Sequence, residues 1–224
     1  MMDESTNRLD DSDPVLTESL YSKTLYVLRE SRKALLRQYG VEDEAGLLAQ
    51  IRSGQIGEHP AYEHYLSARI MEQTREQIRA EMMVRLGGGT SAEVPDISVH
   101  AMLKDWIEAA YAQRLCEPPR LAQDALLLSF DSGLMMEVRY FSETEYALHW
   151  SWGEAVLRID TAPVHSGVGS FPHHLHRDDD IVACDRFTQP GTEVWKNFSG
   201  LLDVLLTNPL LGESPEDGDA SACR

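Results

Sequence analysis

Apolar residues recur at helical spacing through the first part of the chain. From Ser22 to Tyr39, Leu25, Leu28, Leu35, Leu36 and Tyr39 share one face, and Gly40 supplies a stop. Arg29, Arg32, Lys33 and Arg37 occupy another face, which predicts a solvated stripe or a contact surface for RNA or an acidic partner. A shorter helix is predicted over about Asp43–Arg52, carrying Leu47, Leu48 and Ile51. His59-Pro60 opens a long one, in which Tyr62, Tyr65, Leu66, Ile70, Ile78 and Met82 keep the period to about Leu86. His59 and His64 read as surface or capping residues of that helix, since neither has a chemical neighbour in sequence.

Gly87-Gly88-Gly89-Thr90-Ser91 breaks the pattern and reads as a linker. Beyond it Ser98 is placed to cap a helix whose stripe is Val99, Met102, Leu103, Trp106, Ile107, Ala110 and Tyr111. The period then shortens. Ala125–Phe130, Leu134–Phe141, Glu145–Trp150 and Glu154–Ile159 read as strands joined by hairpin-length turns, which is an antiparallel meander. A last helix is predicted over about Thr192–Thr207, with Trp195, Phe198, Leu201, Leu202, Leu205 and Leu206 on one side.

The predicted fold class is α+β: a helical N-terminal module followed by an antiparallel β-meander domain packed on flanking helices. The boundaries are residues 1–20 disordered and acidic, 21–87 helical, 88–97 linker, 98–211 α+β, and 212–224 a disordered tail.

Charge narrows the function. The net charge is −17, with residues 21–97 nearly balanced, so tight non-specific nucleic-acid binding is disfavoured, although an RNA-cutting site needs only a local positive pocket. Cys116, Cys184 and Cys223 show no CxxC spacing, so neither a disulfide framework nor a zinc ribbon is indicated and reduced thiols fit best. The acidic N-terminus is unlike a secretory signal, and no apolar run approaches the ~20 residues that span a bilayer. The expectation is a soluble, cytoplasmic protein with no membrane partner and no cofactor; its oligomeric state stays open.

The chemistry concentrates in Val156–Asp180. Four of the eight histidines, His165, His173, His174 and His176, fall there within twelve positions, close to Arg158 and Asp160. Imidazole is the unperturbed side chain that titrates near neutral pH, so the cluster is a candidate for proton transfer or metal ligation. Metal-independent RNA cleavage needs a base for the ribose 2′-OH, an acid for the leaving oxygen and a cation for the developing charge. The histidines supply the first two, Arg158 or Arg177 the third, and Asp160 an orienting carboxylate. His149 and Trp150 join Arg177 as candidate substrate-binding residues. Two other readings stay open. One is a metal-dependent hydrolase, in which His174 and His176 share one face of an extended segment with a carboxylate from Asp178, Asp179 or Asp180. The other is a non-enzymatic interaction module.

The order Tyr146-Ala147-Leu148-His149-Trp150, Arg158-Ile159-Asp160-Thr161-Ala162-Pro163-Val164-His165, Phe171-Pro172-His173-His174-Leu175-His176 resembles the TumE-like toxins of bacterial toxin–antitoxin modules. The resemblance covers roughly residues 100–210. It implies an RNA-cleaving toxin partnered by a helix-turn-helix antitoxin, with the matching residues Arg158, Asp160, Pro163, His165, His173, His174 and His176 as its site. Thr161 stands where that pattern has asparagine, and Val164 where it has the first of two histidines. The helical region 20–87 is additional to it.

Overall fold

The structure is a computed structural model, and it describes residues 14–85, 98–178 and 181–212. The linker expected over 88–97 and the tail from 213 lie outside the described residues.

Helix α1 (Pro14–Gln38) ends in a Schellman turn. Gly40 takes φ +66°, and the amides of Gly40 and Val41 return to the carbonyls of Arg37 and Leu36. The helix begins at Pro14, so residues 14–20, expected to be disordered, are helical. Helix α2 (Glu44–Arg52) is capped by Asp43, whose side chain accepts the Gly46 amide, and Gly54 at φ +70° closes it. Helix α3 (Ala61–Arg85) buries Tyr62, Tyr65, Leu66 and Ile70 against Leu36, Leu47 and Ile51. The basic stripe of α1 is largely neutralised: Arg32 bonds Glu44 at 2.6 Å, and Arg29 and Lys33 lie beside Glu30.

After α4 (Val99–Tyr111) come β1 (Arg120–Leu121), β2 (Leu126–Ser129), β3 (Met135–Ser142), β4 (Glu145–Trp152), β5 (Ala155–Asp160), β6 (His174–Asp178) and β7 (Ile181–Cys184), and then α5 (Val194–Leu205). The strands pair in chain order, each antiparallel to the next, as one seven-stranded meander. Four strands were expected and are present. Short β1 precedes them, and the histidine segment, outside the four predicted strands, forms β6 and leads into β7.

Strand alternation sorts the sheet into two faces. The rung Leu126, Val138, Leu148, Ile159, Leu175, together with Leu128, Met136, Trp150, Leu157, faces α4 and α5 and forms the larger core. The opposite face carries His149, Arg158 and His176 as one rung, and Ala147, Asp160 and His174 as the next. Ala147 and Ala162 of this face enter the core of the helical module. The contact is tied by Arg69–Glu145, Tyr65–Glu145 and the set Ser67, Asp124, Arg139. The helical module, the sheet, and the pair α4 and α5 therefore make three layers. Cys116 is a free thiol, as expected.

Candidate active site

Strand β6 places His174 and His176 on the face covered by the helical module, because they are two residues apart. Pairing with β5 sets His176 beside Arg158 and His174 beside Asp160, and pairing of β5 with β4 adds His149. His165, on the β5–β6 connection, swings over the same spot, with ring centroids 4.7 Å from His174 and 5.7 Å from His176. The element that completes the site comes from the other module: Gly57-Glu58-His59-Pro60, the lead into α3.

Glu58 accepts from His174 Nε2 and from His165 Nε2, each at 2.7 Å, and lies 3.5 Å from His176 Nε2. Its backbone carbonyl accepts the Tyr62 amide at 2.7 Å, which fixes the residue at the helix entrance. His174 Nδ1 donates to the Pro172 carbonyl at 3.0 Å. Acceptors at both nitrogens favour the protonated ring of His174. Burial acts to lower its pKa, but the Glu58 hydrogen bond and the Asp160 charge outweigh that and raise it. Burial likewise acts to raise the Glu58 carboxyl, yet the bond from His174 and the adjacent His176 hold it far below the usual carboxylate range. His176 Nε2 is buried and makes no hydrogen bond, at 3.6 Å from Asp160 Oδ2.

Arg158 is buried, donates from Nε to Asp160 Oδ2 at 2.7 Å, and lies 3.5 Å from Glu63. Asp160 also accepts the Ala162 amide at 2.9 Å. Complete burial, set against His174 and reinforced by Glu58, raises its pKa to about 6. Burial raises Glu63 as well. Glu63 binds His59 Nδ1 at 2.7 Å, and His59 lies over His149 and His176 at ring distances of 5.4 and 5.9 Å. Two donor sets could hold a metal among the described residues: Glu58, His165, His174, His176, and His59, Glu63, His149. His165 opens onto a groove of about 600 Å³ lined by Arg52, Ser53, Gly54, Pro163, Ser166 and Gly167.

Several sequence candidates fall elsewhere. His173 precedes β6 and faces the opposite side, with its Nε2 4.0 Å from Asp185 and its pKa lowered by burial. Arg177 alternates away from His176 and donates to the carbonyls of Leu210 and Leu211. Trp150 is core, with its indole nitrogen donating to the Pro209 carbonyl at 2.8 Å. The Asp178 side chain and all of Asp179 and Asp180 lie outside the described residues. Conversely, Glu58, His59 and Glu63 were not anticipated as site residues; their only sequence signal is a polar connection between helices that carries both a carboxylate and an imidazole.

The comparisons bear on both modules. Residues 102–199 match the family Toxin TumE. The sheet domain is TumE-like. Residues 1–86 match a second family, Uncharacterized protein MJ0235 family. No curated protein and no solved structure matches the chain. The TumE family name implies a toxin role and an antitoxin partner in general. Thr161 and Val164, where the chain departs from the pattern noted in its sequence, both meet the helical module. Thr161 Oγ1 bonds the Tyr62 hydroxyl at 2.9 Å, and Val164 packs against the module's core.

Proposed function

We propose that the TumE-like domain cuts RNA by proton transfer between its imidazoles, without a metal. The supporting observation is the convergence of His165, His174 and His176 on one buried point beside Arg158 and Asp160. His174, favoured as a cation, has the character of the acid that protonates the leaving 5′-oxygen. His176, whose Nε2 makes no hydrogen bond, has that of the base for the 2′-OH. Arg158 is the charge available to a phosphorane, and Asp160 orients it. Glu58 covers these groups, so substrate entry at the His165 groove requires Glu58 to move aside. His149, in the rung beside Arg158, is the substrate contact of the original set that stays at the site. The partner implied is an antitoxin, for which we propose the helix-turn-helix type, and the setting is the cytoplasm; no helix among the described residues is long and apolar enough to cross a membrane.

The test is cleavage of total cellular RNA by the full chain in EDTA, against a His174→Ala/His176→Ala variant. Cleavage that resists EDTA and disappears in the variant supports the reading. Cleavage abolished by EDTA would favour the metal-dependent hydrolase; no cleavage in any condition, by the folded wild type or by Glu58→Gln, would favour the interaction module, to which the engaged Arg158 and the covering Glu58 already lend support.

A further inference from the structure

The donors around Glu58 raise a question that hydrogen bonding leaves open. Glu58, Glu63 and Asp160 are three buried or nearly buried carboxylates with Arg158 among them, so with neutral imidazoles the site carries a net charge of −2. Charge of this kind away from water has to be balanced. His176 Nε2 is buried, lacks a hydrogen-bond partner and points at the same carboxylate as its neighbours. In a neutral His174, the Pro172 carbonyl selects the tautomer with the proton on Nδ1, turning the Nε2 lone pair towards Glu58.

We propose that Glu58, His165, His174 and His176 bind one divalent cation of the zinc class, joining the helical module to the sheet domain. The four donor atoms lie within 4.8 Å of one another. Three imidazole nitrogens and one carboxylate suit zinc or cobalt rather than magnesium or calcium, which favour all-oxygen shells. The ion supplies the two positive charges that the carboxylates call for. The His165 edge, with its side chain 35% exposed, gives a path from solvent. Four protein donors leave no open position for a reacting water, which is the pattern of a structural site. The ion therefore acts as a clamp between Glu58 of one module and three histidines of the other. If the cleavage reading holds, the loaded form is its closed state, because the lone pairs that would move protons are then coordinated; the binding site itself does not depend on that reading.

The experiment is titration of the chelator-stripped full chain with cobalt(II), whose visible spectrum reports coordination. One cobalt per chain, with the intense bands of a four-coordinate site and displacement by zinc, is the expected result. His165→Asn and His176→Ala should each weaken uptake by roughly tenfold or more, with circular dichroism unchanged. His165 is partly exposed, so at least that variant keeps the fold testable. His149→Ala, which touches only the neighbouring donor set, should leave uptake as it was. Absence of uptake by folded wild-type protein, a pale six-coordinate spectrum, or uptake that survives both histidine variants would overturn the site. Uptake lost only in His149→Ala would also overturn it, by placing the ion on His59, Glu63 and His149. RNA cleavage is not the readout, so failure here leaves the cleavage proposal standing, and the reverse holds.

Discussion

The two faces of β4, β5 and β6 use the same strands for opposite purposes. On one, Leu148, Trp150, Leu157, Ile159 and Leu175 pack without charge against α4 and α5. On the other, one residue along each strand, stand Arg158, Asp160, His174 and His176, buried under a separate module, with half-buried His149 beside them. Histidine shows the contrast within one residue type. His100 of α4, on the apolar side, accepts the Tyr140 amide through Nε2, and burial lowers its pKa to about 4. His174, on the polar side, is raised because its surroundings supply carboxylates. Depth of burial is similar; the partners differ. The lesson is that the two faces hold the sheet by different means, the apolar side by burial that keeps the strands in register, the polar side by paired charges that would be unstable without that register.

The comparison breaks most severely at Trp150. Trp150→Ala removes the largest side chain of the apolar face and its bond to the Pro209 carbonyl. It should destabilise towards the upper end of ~3–5 kcal/mol, read as a lowered midpoint in urea. Arg158→Ala attacks the other face. It leaves Asp160 and Glu63 without their buried cation and should cost roughly 3 kcal/mol in the same titration. Equal tolerance of this variant and of a surface substitution would show that the polar face contributes nothing to holding the sheet.

His100 sharpens the contrast through pH. Its folded pKa lies below its unfolded value of about 6.5, so folding favours the neutral ring. The stability this provides is complete above pH ~6.5 and is lost as pH falls towards 4, where the folded protein also takes the proton. His100→Gln keeps an acceptor for Tyr140 but does not titrate. The wild type should lose about 3 kcal/mol more than the variant between those pH values; parallel stability curves would count against a buried neutral His100.

The smallest effect lies at the joint between modules. Tyr62→Phe removes the hydroxyl bonded to Thr161, which retains its contacts to the Tyr146 backbone. A loss of about 1 kcal/mol is expected, and the double variant with Thr161→Val should lose more, because the Tyr146 amide is then left without the acceptor it has in Thr161 Oγ1.

The chain's own pattern determined the helices, the meander, and the apolar face, because period 3.6 and period 2 are local properties that follow directly from where a side chain must point to leave water. It also marked the histidine segment as the candidate site, and the resemblance to TumE-like toxins rests on those same residues. Tertiary structure alone decided which of those residues meet. Folding the segment into β6 sent His174 and His176 to one face and His173 and Arg177 to the other, since a single step along a strand reverses the side. It also delivered Glu58, His59 and Glu63 from a helix entrance about a hundred residues away in sequence. Such a pairing depends on how two separately patterned modules pack, and hydrophobic periodicity carries no information about which polar loop will face which strand.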